Sequence, residues 1–101
     1  MPPIISYSNV RDGRKVVASA GTRERLVSGN TPCKMVLITA EIDNTSEVTL
    51  GDVTVVGALG ATRRGTPLIA GQSVQMNIED LYMLYIDAIT SGDGVSFTYY
   101  F

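Results

Sequence analysis

Short apolar runs separated by turn residues fill the chain from about residue 15 onward. Val, Ile, Thr and Tyr dominate those runs, with Gly, Asn, Asp or Pro between them, which is the pattern of β-strands rather than helices. The spacing predicts strands near 15–19, 23–28, 33–41, 47–50, 53–57, 66–69, 72–78, 82–89 and 94–101. The cleanest alternation comes last: Val95, Phe97, Tyr99 and Phe101 fall on one face, Ser96, Thr98 and Tyr100 on the other. Period two assigns the first set to a core. Val74, Met76 and Ile78 alternate in the same way with Gln75 and Asn77. Cys33 to Ala40 is apolar at nearly every position and reads as a central strand covered on both faces.

Turn chemistry supports this reading. Asp12-Gly13 and Asp93-Gly94 suit hairpins that need positive φ. Gly51-Asp52 and Ala70-Gly71-Gln72 interrupt neighbouring runs, and Pro32 belongs before its strand or at its start. Ile78 to Tyr85 has some helical propensity, but its β-rich flanks favour a strand start or a short 3₁₀ turn. Eight or nine short strands in this length specify an all-β antiparallel sandwich or small barrel. Residues 1–13 read as an extended N-terminal arm and 14–101 as a single β-sandwich domain. Pro2 and Pro3 block regular pairing, and Ile4, Ile5, Tyr7 and Val10 are apolar positions that form no core alone.

Composition narrows the chemistry. The 101 residues hold no His and one cysteine, so the commonest general base, any intrachain disulfide and any thiolate cluster are missing. The expectation is a non-enzyme without cofactor or metal. A pI near 4.9 argues against nucleic acid as a partner. No apolar run approaches the length of a membrane span and no signal peptide is visible, so no membrane partner is expected. The net charge of −2 conceals an asymmetry. Residues 1–34 carry six cations against two acids, net +4, and residues 35–101 carry two cations against eight acids, net −6.

Individual motifs are weak. Gly57 to Thr66 superficially resembles a phosphate loop, yet it lacks the lysine and the following helix. Arg63 and Arg64 lie in it and suit a carboxylate on another subunit. Glu79 and Asp80 point apart on a strand, and Asp87 and Asp93 flank a hairpin, a poor basis for paired-carboxylate hydrolysis. Asp43, Asn44, Asp52 and Asp93 form no calcium-loop pattern. Asn44-Thr45-Ser46 matches a glycosylation sequon but reads as a turn, and Cys33 as a buried small hydrophobe.

An ordered set of segments resembles small virion accessory proteins of tailed bacteriophages, of the head decoration, cement or head-fibre type. It runs from Ser28-Gly-Asn-Thr-Pro-Cys-Lys-Met-Val-Leu-Ile-Thr-Ala40 through Gly51-Asp-Val-Thr-Val55, Thr62-Arg-Arg-Gly-Thr-Pro-Leu68 and Ala70-Gly-Gln-Ser-Val74. It ends with Leu84-Tyr-Ile-Asp-Ala88 and Ser91 to Tyr99, covering residues 18–101 overall. The resemblance implies a jelly-roll-type sandwich and a structural role on the virion, in a protein made in the bacterial host cytoplasm, with no catalytic residue to transfer. On that basis the domain is expected to form a homo-oligomer, a trimer by preference, on the major capsid protein. Ile4, Ile5, Tyr7, Arg11, Arg14 and Lys15 are the expected capsid contacts. Arg63, Arg64, Tyr100 and Phe101 are the expected subunit interface. The competing expectation is a tail- or fibre-associated carbohydrate-binding module presenting Tyr82, Tyr85 or Tyr100.

Overall fold

The computed structural model describes residues 9–58 and 62–101. Eight strands lie within them: β1 (Val10–Val16), β2 (Glu24–Arg25), β3 (Met35–Ala40), β4 (Val48–Gly51), β5 (Thr66–Leu68), β6 (Ser73–Met76), β7 (Tyr85–Ala88) and β8 (Gly94–Tyr100). They form two four-stranded antiparallel sheets, ordered β1-β8-β3-β6 and β2-β7-β4-β5. The pairings nest: β1 with β8, β2 with β7, β3 with β6 and β4 with β5. That is one long hairpin rolled up so that successive rungs alternate between sheets, the jelly-roll form of a β-sandwich.

Inward-facing residues of the two sheets make the core. Val36, Ile38 and Val95 from the first sheet and Val48, Leu50 and Ile86 from the second are essentially inaccessible to solvent. The alternation expected in the last strand holds, since Val95 and Phe97 are buried and Tyr99 packs against the core. Val74, Met76 and Ile78 pack against it as well. The Ile78–Tyr85 stretch resolves into a 3₁₀ turn over Leu81–Met83, capped by the Asp80 carboxylate accepting from the Tyr82 amide.

Four details depart from the sequence pattern. First, Val10–Gly13, placed in the arm, belong to β1, and every residue of that strand has a partner in β8. The Asp12-Gly13 pair is mid-strand rather than a turn. Gly13 is needed for space, because a Cβ there would sit 2.5 Å from Phe97 Cζ. Second, positive φ near the β7–β8 turn falls on Gly92, at 95°, and Gly94 opens β8 instead. Third, residues 53–57 make no strand, only a single bridge from Val56 to Arg64. Fourth, β3 is central but covered on one face only, with Leu37 38% exposed on the other.

The doubly covered strand is β4, whose Val48, Thr49 and Leu50 are all buried. The described parts of the connection between β4 and β5 fold back over the outer face of their own sheet. The Gly57 amide donates to Asp87 Oδ2 at 2.9 Å, and Arg23 Nη1 donates to the Val55 carbonyl at 3.1 Å. Gly65, at φ 117°, allows the return, since a Cβ there would collide with the Leu50 carbonyl. The described residues of the loop that superficially resembled a phosphate cradle therefore cover β4 and β7.

Gly13→Ala forces the Phe97 ring out of its place and is expected to lower stability by about 1–3 kcal/mol, as overpacking does. Pairing it with Phe97→Leu is expected to cost less than the two single changes added together. Urea denaturation of the three variants checks this, and strict additivity would refute the contact.

Candidate functional site

The first sheet presents a flat outer face whose character changes from one end to the other. Opposed residues of antiparallel strands share a face, so the register sets out its rows. Val10, Tyr100 and Met35 form the row nearest the chain termini. The next row is Asp12, Thr98, Leu37 and Gln75, followed by Arg14, Ser96, Thr39 and Ser73. Val10 is 57% exposed and Leu37 38%, so the terminal end of the face carries a continuous apolar patch. The far end is polar and tied together: Thr39 Oγ1 and Ser73 Oγ lie 2.6 Å apart, and Ser96 Oγ donates to Glu41 at 3.2 Å.

The expected contact residues divide among three places. Ile4, Ile5 and Tyr7 lie outside the described residues. Arg14 and Lys15 already have carboxylate partners in the chain. The Arg14 guanidinium holds Glu41 with two bonds of 2.6 and 2.9 Å, and Lys15 Nζ donates to Glu24 at 2.8 Å across the open edge between the sheets. Arg11 lies over the Phe101 ring at 5.5 Å. Phe101 faces inward and stacks on Tyr99, which continues to Phe97. Of the expected subunit contacts, Arg63 is paired with Glu47 at 3.0 Å. Arg64 bridges to Val56 through its backbone and is exposed. Tyr100 alone of that set stands on the apolar outer patch. Met35 and Leu37 are not legible as surface residues, because a run apolar at nearly every position hides which face is open, and Val10 falls in the expected arm.

Asp80, Asp87 and Asp93 are spent on backbone amides. Asp87, 2% exposed, accepts from Gly21 and Ala88 on Oδ1 and from Gly57 on Oδ2. Asp93 accepts from the Thr45 and Ser46 amides, and Asp80 from Thr31 and Tyr82. Asn44, the sequon residue, bonds the Gly94 amide and carbonyl at 2.9 and 2.8 Å, so its side chain replaces a missing strand partner. Among the described residues no group of His, Cys, Asp or Glu is placed to hold a metal ion. Cys33 Sγ donates to the Ile78 carbonyl, and burial, with Asp80 adding to it, pushes the thiol pKa up. Tyr82 and Tyr85 clasp Arg25, whose guanidinium carbon lies 3.7 and 4.7 Å from their ring centres. One face of each ring is thus occupied by a cation rather than free for a sugar.

No protein-family model, curated protein or solved structure matches the chain.

Two of these carboxyls make acid stability predictable. Burial pushes Glu24 up, but the Lys15 bond and the Ser19 and Ala18 amides outweigh it and hold its pKa below the ordinary value. The Arg14 bond holds Glu41 low, against desolvation. A carboxyl depressed in the folded state adds stability above its unfolded pKa and loses it as pH falls through the folded one. The urea midpoint should therefore be flat from pH 7 to about 5 and fall below about pH 4. Glu24→Gln and Glu41→Gln should each flatten that fall, and an unchanged acid limb would refute the assignment. Asp87→Asn turns an amide donor toward the Gly57 N–H and should cost about 1–3 kcal/mol at neutral pH.

Proposed function

We propose that the domain is a structural accessory protein of a tailed-bacteriophage virion, a capsid decoration or cement protein that binds the head surface as a homo-oligomer. Three copies about a local threefold of the major capsid protein is the arrangement we favour. Its work is holding surfaces together rather than catalysis. The observation that carries the reading is the apolar patch of Val10, Tyr100, Met35 and Leu37 on a flat sheet face. Exposed apolar surface of this kind, bordered by polar rows, is characteristic of protein contact sites. Position supports it as well. Asn9 and Phe101 exchange backbone bonds of 2.7 and 3.0 Å, so the segment holding Ile4, Ile5 and Tyr7 is joined to the described chain beside this patch. Patch and segment can then act on one partner, and many repeated weak contacts on a lattice give tight collective attachment.

Mass spectrometry of purified particles from the genome that encodes the chain tests this. Many copies per head, absent from isolated tails, is the expected result. Leu37→Glu should reduce head occupancy at least tenfold while leaving the thermal midpoint within a few degrees, since surface changes alter stability little. Deleting residues 2–8, which spares β1, should do the same. A chain absent from particles, or found only on tails, would overturn the reading.

A further inference from the structure

β1 is the long edge of the sandwich. The other outer strands are β2 with two residues, β5 with three including Pro67, and β6 with four, against seven in β1. Its hydrogen-bonding direction follows from the register. Asn9 exchanges bonds with Phe101, and the Val17 amide donates to Asp93 at 2.9 Å. Antiparallel bonding alternates along a strand, so Arg11, Gly13 and Lys15 face β8 with their backbone groups. Val10, Asp12, Arg14 and Val16 turn theirs toward the open edge. Beside that edge lies a groove of about 490 Å³ bordered by Gly13, Arg14, Leu26, Ser28 and Thr31.

We propose that this edge binds a second copy of the chain, the two β1 strands pairing antiparallel about Gly13. The outward row reads Val, Asp, Arg, Val, which is complementary to itself when reversed. Centred on Gly13, Asp12 faces Arg14 of the second copy twice, and Val10 faces its Val16 twice. A shift of the pairing by two residues in either direction sets Asp12 against Asp12 or Arg14 against Arg14. Like charges directly opposite destabilise a ladder, so on the outward row charge favours the register centred on Gly13 over the two beside it. Asp12 has no cation partner among the described residues, and Arg14 of the second copy, which also holds Glu41 of its own chain, supplies one. On the inner side Arg11 meets Lys15 of the second copy, whose charge is already matched by Glu24. The result is one eight-stranded sheet running across a two-fold axis, with no long edge left unpaired. The contact goes beyond the virion reading and does not depend on it. A two-fold of this kind joins trimers where trimers form, so the assembly contains an even number of copies.

Sedimentation velocity of the full chain over a wide concentration range tests the contact. The expected mass is twice 10.8 kDa, or a multiple of that. Asp12→Pro removes an outward N–H without touching the β1–β8 bonds, so it should halve the number of copies with an unchanged far-ultraviolet spectrum. Asp12→Arg and Arg14→Asp should each weaken association about tenfold, and the double exchange should regain most of the loss. If Asp12→Pro does not fold, the charge-exchange series decides. A monomer at the highest soluble concentration, a trimer as sole species, or a double exchange no tighter than the singles overturns the proposal. So does dissociation to monomer on deleting residues 2–8, which would assign the contact to that segment.

Discussion

The pairing of the last strand with both the first and the third is what the remaining structure rests on. β8 lies between β1 and β3, and its inward row of Val95 and Phe97 fills the centre of one sheet. The contact is about as non-local as the chain allows, joining Asn9 to Phe101. Closing so long a loop costs entropy before it returns any contact, which places this topology among the slower-folding kinds. Once β8 is in place, the rest of the rolled hairpin has little freedom. The alternation of its side chains decides which face of β1 and β3 turns inward, and Gly13 follows from the Phe97 ring.

A rolled hairpin sends the chain from one sheet to the other at nearly every turn, leaving many backbone amides without a ladder partner. Unsatisfied and buried, each would cost about 1–3 kcal/mol. Asp80, Asp87, Asp93, Glu24 and Asn44 answer that need. The same requirement explains why acids that look available for chemistry are not. Their oxygens are committed to loops, and charges pair off within the chain as Arg14–Glu41, Lys15–Glu24 and Arg63–Glu47, of which the first joins the basic part to the acidic one. The outer face of the first sheet is what remains open to a partner.

Fold class was legible in the residues because period two survives in β6 and β8, and because Gly, Asn and Pro mark most of the breaks. Position was less legible. The first half of β1 reads as an arm because Pro2 and Pro3 block pairing ahead of it and Asp12-Gly13 has the chemistry of a turn, although that pair lies mid-strand. The doubly covered strand was assigned to β3 because eight consecutive residues there are largely apolar. Local composition cannot say which strand a distant loop will cover. That depends on Gly57 and Gly65, which lie against Asp87 and Leu50 and bring the described residues of the β4–β5 connection back across the sheet.

Side-chain periodicity and turn chemistry, both properties of neighbouring residues, therefore determined an all-β sandwich and the inward row of the last strand, and left Ile78 to Tyr85 as a strand start or a short 3₁₀ turn. Register, sheet order and the fate of each charge were decided by contacts between residues far apart in the chain. Met35 and Leu37 look identical to core residues until β3 is placed between β8 and β6, with nothing from the second sheet on their side. The self-complementary row of β1 is written in seven residues, but it acquires meaning only when β8 occupies one side of the strand and leaves the other open.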